Sequence, residues 1–410
     1  MHATAADPGL TVPPSAFLVG GQCYETGAPG FAEAVAEAYA ARHRPRCLCL
    51  VQGVEMYVAR LGDGYIVKRM PNTGSHHAPD CPSYEPPAEF SGLGQVLGSA
   101  ITEDPATGET SLKLDFPMTR IPGRSTPPVT GGADAGVAAD GCRLSLRGLL
   151  HYLWDQAGLT RWHPGFVGKR NWATVRRHLL QAAEGKIARG AALRARLYIP
   201  EVFSVERREP IHARRLAQWA RATASPGKPQ HLMLLVAEVK GIEPARYGYR
   251  AVVKHVPEQS FVIDETLYRR MGRRFERELS LWSTAGDLHM VMIATFGVSD
   301  AGVPTIAELC LMTVTGEWLP VEDSFERQLV ERLVRDRRSF VKALRYNLPP
   351  WQPMTCAILT DCVGSPVALH VAPHEAEGQV LSDAPSNSAD DGLRHWFWNP
   401  ARYPLPQLPE

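Results

Sequence analysis

Four residues with metal-ligating side chains fall between positions 47 and 81 of the chain. Cys47 and Cys49 are separated by one residue, and His77 and Cys81 by three. Thiolate sulfur and imidazole nitrogen are the ligands with which Zn²⁺ forms a closed, four-coordinate structural site. His76 is also within reach as an alternative nitrogen ligand. The sequence therefore predicts one tetrahedral zinc site, formed by Cys47, Cys49, Cys81 and one of the two histidines, with His77 favoured.

A β-hairpin is predicted to bring the two halves of this site together. Side chains alternate in direction along a strand, so the single residue between the first two cysteines places their sulfurs on the same side. Residues 51–60 and 65–70 have the composition of strands, and the Gly-Asp-Gly sequence at 62–64 is typical of a hairpin turn. Because a hairpin returns the chain to its starting point, the second pair of ligands is expected beside the first.

Other roles for these residues stay open at this point. Free cysteines are often buried simply as small apolar residues. A cysteine nucleophile with His77 as its base is conceivable. A disulfide is disfavoured because no signal peptide precedes the site, which indicates a reducing compartment. Metal binding is the simpler interpretation, since an ion would supply folding free energy that a small hairpin core lacks.

Four short segments carry a resemblance to a known family. They are Arg46-Cys47-Leu48-Cys49, residues 67–71, His77-Ala78-Pro79-Asp80-Cys81 and residues 83–87. Together they resemble a family of uncharacterised bacterial proteins with N-terminal cysteines, met on plasmids and integrated mobile elements. The resemblance extends over most of the chain, as far as Arg345-Tyr346-Asn347. It implies a bacterial, mobile-element setting, and it carries no established activity.

Composition limits the class of protein. The chain has 410 residues, a hydrophobic fraction of 44%, a charged fraction of 21% and a net charge of +1. These values are typical of a globular protein of two or three domains without a global attraction to nucleic acid. No apolar stretch has the ~20 residues that a membrane span needs, so we expect a cytoplasmic protein with no membrane partner. The cysteines outside the site are expected to be free thiols: Cys23, Cys142, Cys310, Cys356 and Cys362.

The sequence predicts an α+β protein in several parts. A zinc-binding β-hairpin module spans residues 1–121, and a linker rich in Pro, Gly, Thr and Ala spans 122–141. A helical, winged-helix-like segment follows at 142–222, and an α+β domain at 223–373. An irregular tail at 374–410 carries a cluster of aromatic residues that is expected to dock on a domain.

The middle segment is the predicted nucleic-acid-binding part. Helices over 144–157 and 171–188, followed by short strands at 197–199 and 202–205, are similar to a winged-helix arrangement. On the second helix and just before it, Arg170, Arg176 and Arg177 are predicted to face DNA. The alternative is an amphipathic helix that faces only solvent. The basic run at 42–46, which borders the zinc site, is a second candidate for phosphate contacts.

The C-terminal part has the element order of a nuclease without its full set of ligands. An acidic helix over 321–337 and a hairpin over 355–360 and 366–371 are similar to the core of the PD-(D/E)xK nucleases, with Asp361 at the position of the metal-binding Asp. His370-Val371-Ala372 stands where that family has Glu-x-Lys. A divalent ion would therefore lack one carboxylate ligand, and the lysine needed for catalysis is missing. The core is interpreted as degenerate.

Three functions follow as hypotheses. The first is a zinc-binding, non-catalytic protein that binds DNA or serves as an accessory protein of a mobile element. The second is a divalent-metal-dependent nuclease, or an enzyme derived from one. The third is a scaffold that binds another protein of the mobile element. The chain contains no phosphate-binding loop, dinucleotide fingerprint, nucleophile elbow or H-E-x-x-H motif.

Overall fold

The computed structural model describes residues 15–61, 64–121, 142–372 and 393–410. Its first unit is a sheet covered by one helix. The elements are β1 (Ala16–Val19), β2 (Gln22–Glu25), α1 (Phe31–Ala40), β3 (Arg46–Cys47), β4 (Val54–Leu61) and β5 (Gly64–Arg69). The strands lie in the antiparallel order β2-β1-β3-β4-β5. The pairing of β4 with β5 confirms the predicted hairpin, although positions 62 and 63 of its turn lie outside the described residues.

The next part alternates short strands with helices. The elements are α2 (Leu93–Val96), β6 (Ile101–Glu103), β7 (Thr110–Leu112), β8 (Thr119–Arg120), α3 (Leu146–Gln156), β9 (Arg161–Trp162), α4 (Trp172–Ala182), β10 (Lys186–Ala188), β11 (Ala191–Ala192), α5 (Leu193–Arg196), β12 (Leu197–Tyr198) and α6 (Arg208–Trp219). Ser145 and Asn171 cap α3 and α4 through their side chains. The prediction that the second helix runs to residue 188 is wrong, because Gly185 turns the chain at φ +67° and β10 pairs with β7.

A closed sheet forms the centre of the molecule. The elements are β13 (Gln230–His231), β14 (Met233–Pro244), β15 (Tyr249–Val253), β16 (Phe261–Ile263), α7 (Glu265–Arg274), α8 (Glu276–Thr284), β17 (His289–Val298) and β18 (Pro304–Val314). The strands follow the order β12-β14-β15-β16-β18-β17, and β14 also pairs with β17, so the sheet returns to itself. The two strands predicted at 197–199 and 202–205 do not pair with each other as a wing would. β12 pairs in parallel with β14 instead, and residues 202–205 form no strand.

The last unit is a mixed sheet with one long helix. The elements are α9 (Ser324–Arg335), β19 (Phe340–Lys342), β20 (Ala357–Leu359), β21 (Val367–Val371) and β22 (Arg394–Trp398). The strand order is β22-β21-β20-β19-β9, so a strand from the middle of the chain completes the sheet. The prediction of an irregular tail is wrong for Arg394–Trp398, because these residues form β22, which pairs in parallel with β21. Trp398 at the end of β22 is buried in the core of this unit.

The largest hydrophobic core joins both sides of the predicted linker. Its buried residues come from positions between 96 and 118 and from positions between 144 and 346. Smaller cores lie in the N-terminal sheet and in the C-terminal unit. The linker itself, 122–141, lies outside the described residues, and the predicted division into domains stays a prediction. Within the described ranges, none of the helices has the length and apolar character to cross a bilayer.

Candidate metal centre

The structure brings Cys47, Cys49, His77 and Cys81 into one cluster. Their ligand atoms all lie within 4.8 Å of one another. The sulfurs of Cys47 and Cys81 are 3.7 Å apart, and Nδ1 of His77 lies 3.4 Å from the sulfur of Cys49 and 3.6 Å from that of Cys81. With ordinary zinc bond lengths and tetrahedral angles, neighbouring sulfurs are about 3.8 Å apart and a sulfur and a nitrogen about 3.6 Å apart. The cluster therefore has the dimensions of a tetrahedral metal site.

The first two ligands are positioned by strand pairing and a tight turn. Cys47 ends β3 in the middle of the sheet, where it lies opposite Phe17 on β1 and Val54 on β4. Cys49 follows in the turn that leads into β4. Gly53 closes this turn with φ +65°, a conformation that favours glycine, and its N–H donates to the carbonyl oxygen of Leu50 at 2.9 Å.

The other two ligands come from the loop after β5. A short 3-10 helix, Gly74–His76, delivers His77 in an extended conformation. The N–H of Cys81 donates to the carbonyl oxygen of Ala78 at 2.8 Å, which turns the chain back toward the histidine. His77 is buried within the cluster, whereas His76 is exposed and outside it. Of the two histidines that the sequence allows, His77 is thus the one beside the cysteines.

Burial and hydrogen bonding favour a thiolate in this cluster. Cys47, His77 and Cys81 are 1%, 3% and 5% exposed. A hydrogen bond from the Cys47 thiol lowers the pKa of Cys81, and further hydrogen bonds from His77 and from the backbone N–H of Ser83 act in the same direction. The same contact with Cys81 raises the pKa of Cys47. One negative charge is therefore stabilised on a sulfur that faces the other three ligand atoms.

The donor set fits a resident metal ion better than a nucleophile. A cysteine nucleophile needs one sulfur and one base, whereas here three sulfurs and a nitrogen converge on one point. Soft thiolates with an imidazole suit Zn²⁺, and four protein ligands leave no open position for a substrate. Nδ1 of His77 is the ligand atom, because it is the ring nitrogen that lies 3.4 and 3.6 Å from the sulfurs of Cys49 and Cys81. The Nε2 atom is buried and makes no hydrogen bond to the described residues.

The three predicted DNA-facing arginines do not share one surface. Arg170 is 6% exposed, and its guanidinium donates to the carbonyl oxygens of Leu159 and Arg161. Arg176 is half-buried and donates to the carbonyl oxygen of Ile199 at 3.1 Å. Arg177 is exposed. Nucleic-acid binding by this set stays a prediction, with Arg170 already held inside the protein.

The C-terminal unit offers no comparable metal site among the described residues. Asp361, the predicted counterpart of the nuclease aspartate, forms an ion pair with Arg338 at 2.8 Å. His370, where the nucleases have the Glu-x-Lys motif, is close to His395, with Nε2 and Nδ1 3.1 Å apart. No metal-binding cluster within the described ranges includes any of these residues. The nuclease hypothesis gains no further ligand from the structure.

A cavity beside the metal centre is indicated by no motif in the sequence. Its volume is about 820 Å³, and the loop Pro79–Ser83 forms part of its wall. The rest of the lining includes Asp155, Arg161 and Lys186, which come from α3, β9 and β10. Because these residues are far from the metal ligands in the sequence, no motif spacing reveals that they line one cavity.

The fold and the cluster together define an α+β protein with a candidate Cys₃His metal centre. The chain belongs to the family described as "Protein of unknown function (DUF1173)", whose profile matches residues 17–401. This match covers the metal centre, the closed sheet and β22. No curated protein and no solved structure is significantly similar to the chain.

Proposed function

We propose that the chain is a zinc protein in which Cys47, Cys49, His77 and Cys81 hold one Zn²⁺ ion with a structural role. The observation that carries this proposal is that the four ligand atoms lie within 4.8 Å of one another, and that three of the distances among them, 3.4, 3.6 and 3.7 Å, match those of a tetrahedral zinc site. The soft sulfur ligands favour zinc over hard divalent ions such as Mg²⁺, which take oxygen ligands.

A structural role follows from the position of the ligands in the fold. Cys47 and Cys81 belong to the small hydrophobic core of the N-terminal sheet. One ion would join β3 to the loop that follows β5, and this link would replace hydrophobic area that the sheet lacks. Four protein ligands exclude a bound water, so the ion would not activate a nucleophile here.

Metal analysis of matched serine variants tests this proposal. The purified wild-type chain is expected to contain one zinc ion by native mass spectrometry and elemental analysis. Cys47→Ser and Cys81→Ser should lose it, because serine is a poor ligand for Zn²⁺. Cys23→Ser is the control, since Cys23 is an exposed free thiol of the same sheet outside the cluster. Zinc retained in both ligand variants, or an iron or copper ion in the wild type, would contradict the proposal.

A second candidate function is nucleic-acid binding by the basic run at 42–46, as an accessory protein of a bacterial mobile element. The observation in its favour is that Arg42, His43, Arg44 and Arg46 are all exposed and lead directly into Cys47. Arg44 is ion-paired with Glu55, whereas Arg42 has no charged partner among the described residues. A zinc-held strand would present these cations on a rigid support to phosphate groups.

Fluorescence anisotropy with labelled duplex DNA separates this candidate from the zinc proposal. Binding is expected at ~50 mM salt and should weaken steeply as salt rises, since each neutralised phosphate releases counterions. Removing Arg42 and Arg46 together should reduce the slope of log affinity against log salt by about 2. Arg120→Ala, an exposed arginine on β8, is the control. Absence of binding at low salt refutes this candidate and leaves the zinc proposal untouched.

A further inference from the structure

The cavity beside the metal centre is lined by charged residues of both signs, and most of its carboxylates are already in ion pairs. Two cations of the lining form ion pairs with carboxylates of the same lining: Lys68 with Glu103, at 3.1 Å, and Arg69 with Glu85. Glu184 and Asp361 pair with Arg194 and Arg338, which lie outside the lining. The cations Arg161 and Lys186 form no ion pair among the described residues, and the deeply buried carboxylate of Asp155 lies in the same lining.

Arg161 lines the cavity without a direct partner among the described residues. Its guanidinium makes no hydrogen bond and no ion pair with the part of the chain that the structure describes, although Glu85 and Asp155 act on it electrostatically. Buried or half-buried arginines usually donate to carbonyl or carboxylate oxygens, as Arg170 does nearby. An arginine that lines a cavity with its donors free is suited to a ligand with oxygen acceptors.

Lys186 provides a second cation in the same cavity. It is 4% exposed, its Nζ donates to Oγ1 of Thr110 at 3.0 Å, and it forms no ion pair among the described residues. Burial lowers its pKa to about 8, so the ammonium group is still charged at pH 7. Burial, and then the charge of Glu85, raise the pKa of Asp155. The other carboxylates that act on the two cations, Glu85 and Glu103, are already paired with Arg69 and Lys68.

The size and lining of the cavity indicate a small molecule rather than a macromolecule. A volume of about 820 Å³ lies within the range of small-molecule sites. Apolar groups from Ile66, Leu159, Phe166 and Val341 share the lining with the charged groups. Such a mixture suits an organic compound with an anionic end.

We infer that this cavity binds one small organic anion, whose phosphate or carboxylate oxygens accept hydrogen bonds from the guanidinium of Arg161 and the ammonium of Lys186. The inference goes beyond the proposed zinc centre, and it does not depend on which ion that centre holds. The ligand is a binding partner, and no covalent step is assigned to it.

A pair of fluorescent probes tests the inference on the full, metal-loaded chain. Anilinonaphthalene sulfonate and phenylnaphthylamine have the same ring system, but only the first carries an anionic group. We expect the sulfonate to bind at least about tenfold more tightly, because a charge-assisted hydrogen bond contributes a factor of this order. Equal affinity for the two probes would overturn the inference.

Variants that remove a positive charge test whether the probe binds in this cavity. Arg161→Gln is expected to weaken binding of the sulfonate at least about tenfold and to leave binding of the neutral amine unchanged. Lys169→Gln is the matched control, since Lys169 is exposed and lies outside the cavity lining. Unchanged affinity in Arg161→Gln, or an equal loss in the control, would overturn the inference. Near-ultraviolet circular dichroism checks the fold, and Lys186→Met is a second variant with the same expectation.

Displacement of the sulfonate by competing anions distinguishes a phosphate ligand from a carboxylate ligand. Phenyl phosphate and benzoate share a ring and differ in the group that carries the charge. Displacement by the first identifies a phosphate site, and displacement by the second a carboxylate site. Displacement by neither at millimolar concentration would overturn the inference.

Discussion

Removal of the metal is expected to unfold the N-terminal sheet and to leave the closed central sheet folded. The buried core of the N-terminal sheet contains ten residues in the described part of the chain, and two of them, Cys47 and Cys81, are metal ligands. Structural zinc contributes ~10–16 kcal/mol of apparent binding free energy to small sites of this kind. A whole domain is stable by only ~5–15 kcal/mol. The sheet therefore has too little other stabilisation to stay folded without the ion.

Hydrogen exchange measured by mass spectrometry follows this local unfolding. With metal bound, an opening free energy of ~5 kcal/mol or more would protect the amides of β4 and β5 by at least about 10³-fold. After chelation this protection should fall to near zero, whereas peptides from β14 and β17, in the centre of the largest core, should exchange as slowly as before.

The controls separate loss of metal from general damage. Re-addition of zinc should restore protection of β4 and β5, and Cys23→Ser should respond to chelation as the wild type does. If metal analysis shows a zinc-free chain while exchange in residues 54–69 is unchanged, the structural role of the ion is refuted. Simultaneous exposure of β14 would instead mean that the two sheets unfold as one unit.

Two further predictions concern buried charges. Lys342 and Glu326 form a buried ion pair at 2.8 Å, so Lys342→Met should destabilise the protein by about 3–5 kcal/mol in urea unfolding, and adding Glu326→Gln should recover part of this loss. Burial lowers the pKa of His151 to about 3, and its Nδ1 accepts a hydrogen bond from the N–H of Tyr346 at 2.9 Å. Below pH ~6.5 the unfolded chain gains a proton at this position that the folded chain does not, so stability is lost between pH ~6.5 and the folded pKa. At pH ~4.5 the loss relative to His151→Gln should be about 3 kcal/mol, and equal pH slopes in the two proteins would contradict it.

The metal centre could be predicted from the sequence because its determinants are local. Spacing brings each pair of ligands together, and a single hairpin brings the two pairs together. The same holds for helix starts, where Ser145, Asn171 and Asp264 each accept a hydrogen bond from a backbone N–H three residues ahead. The sequence favours His77 without excluding His76, because both lie at usable distances along the chain, and the fold around Gly74–His76 directs His77 inward.

Features that depend on distant pairing could not be predicted. β9 has only two residues, too few for a strand pattern, and it becomes a strand because Arg161 and Trp162 pair with β19. The helix expected to continue past Ala182 is replaced by β10, because Lys186–Ala188 gains a parallel partner in β7. The cavity combines both cases, since Arg161 lies on β9 and Lys186 on β10. Local propensity carries no information on such contacts.

The loop that follows β5 belongs to both sites, which links the ion to the cavity. It supplies His77 and Cys81 to the metal, and Glu85 to the cavity, where this carboxylate pairs with Arg69 and acts on Asp155 and Arg161. The N–H of Glu85 donates to the carbonyl oxygen of Gly74 at 3.1 Å, so the two ends of the loop are tied together. If the ion orders this loop, it also orders the cavity wall, and the metal and the anion then bind cooperatively. Because such coupling is reciprocal, the factor by which zinc strengthens anion binding must equal the factor by which the anion strengthens zinc binding.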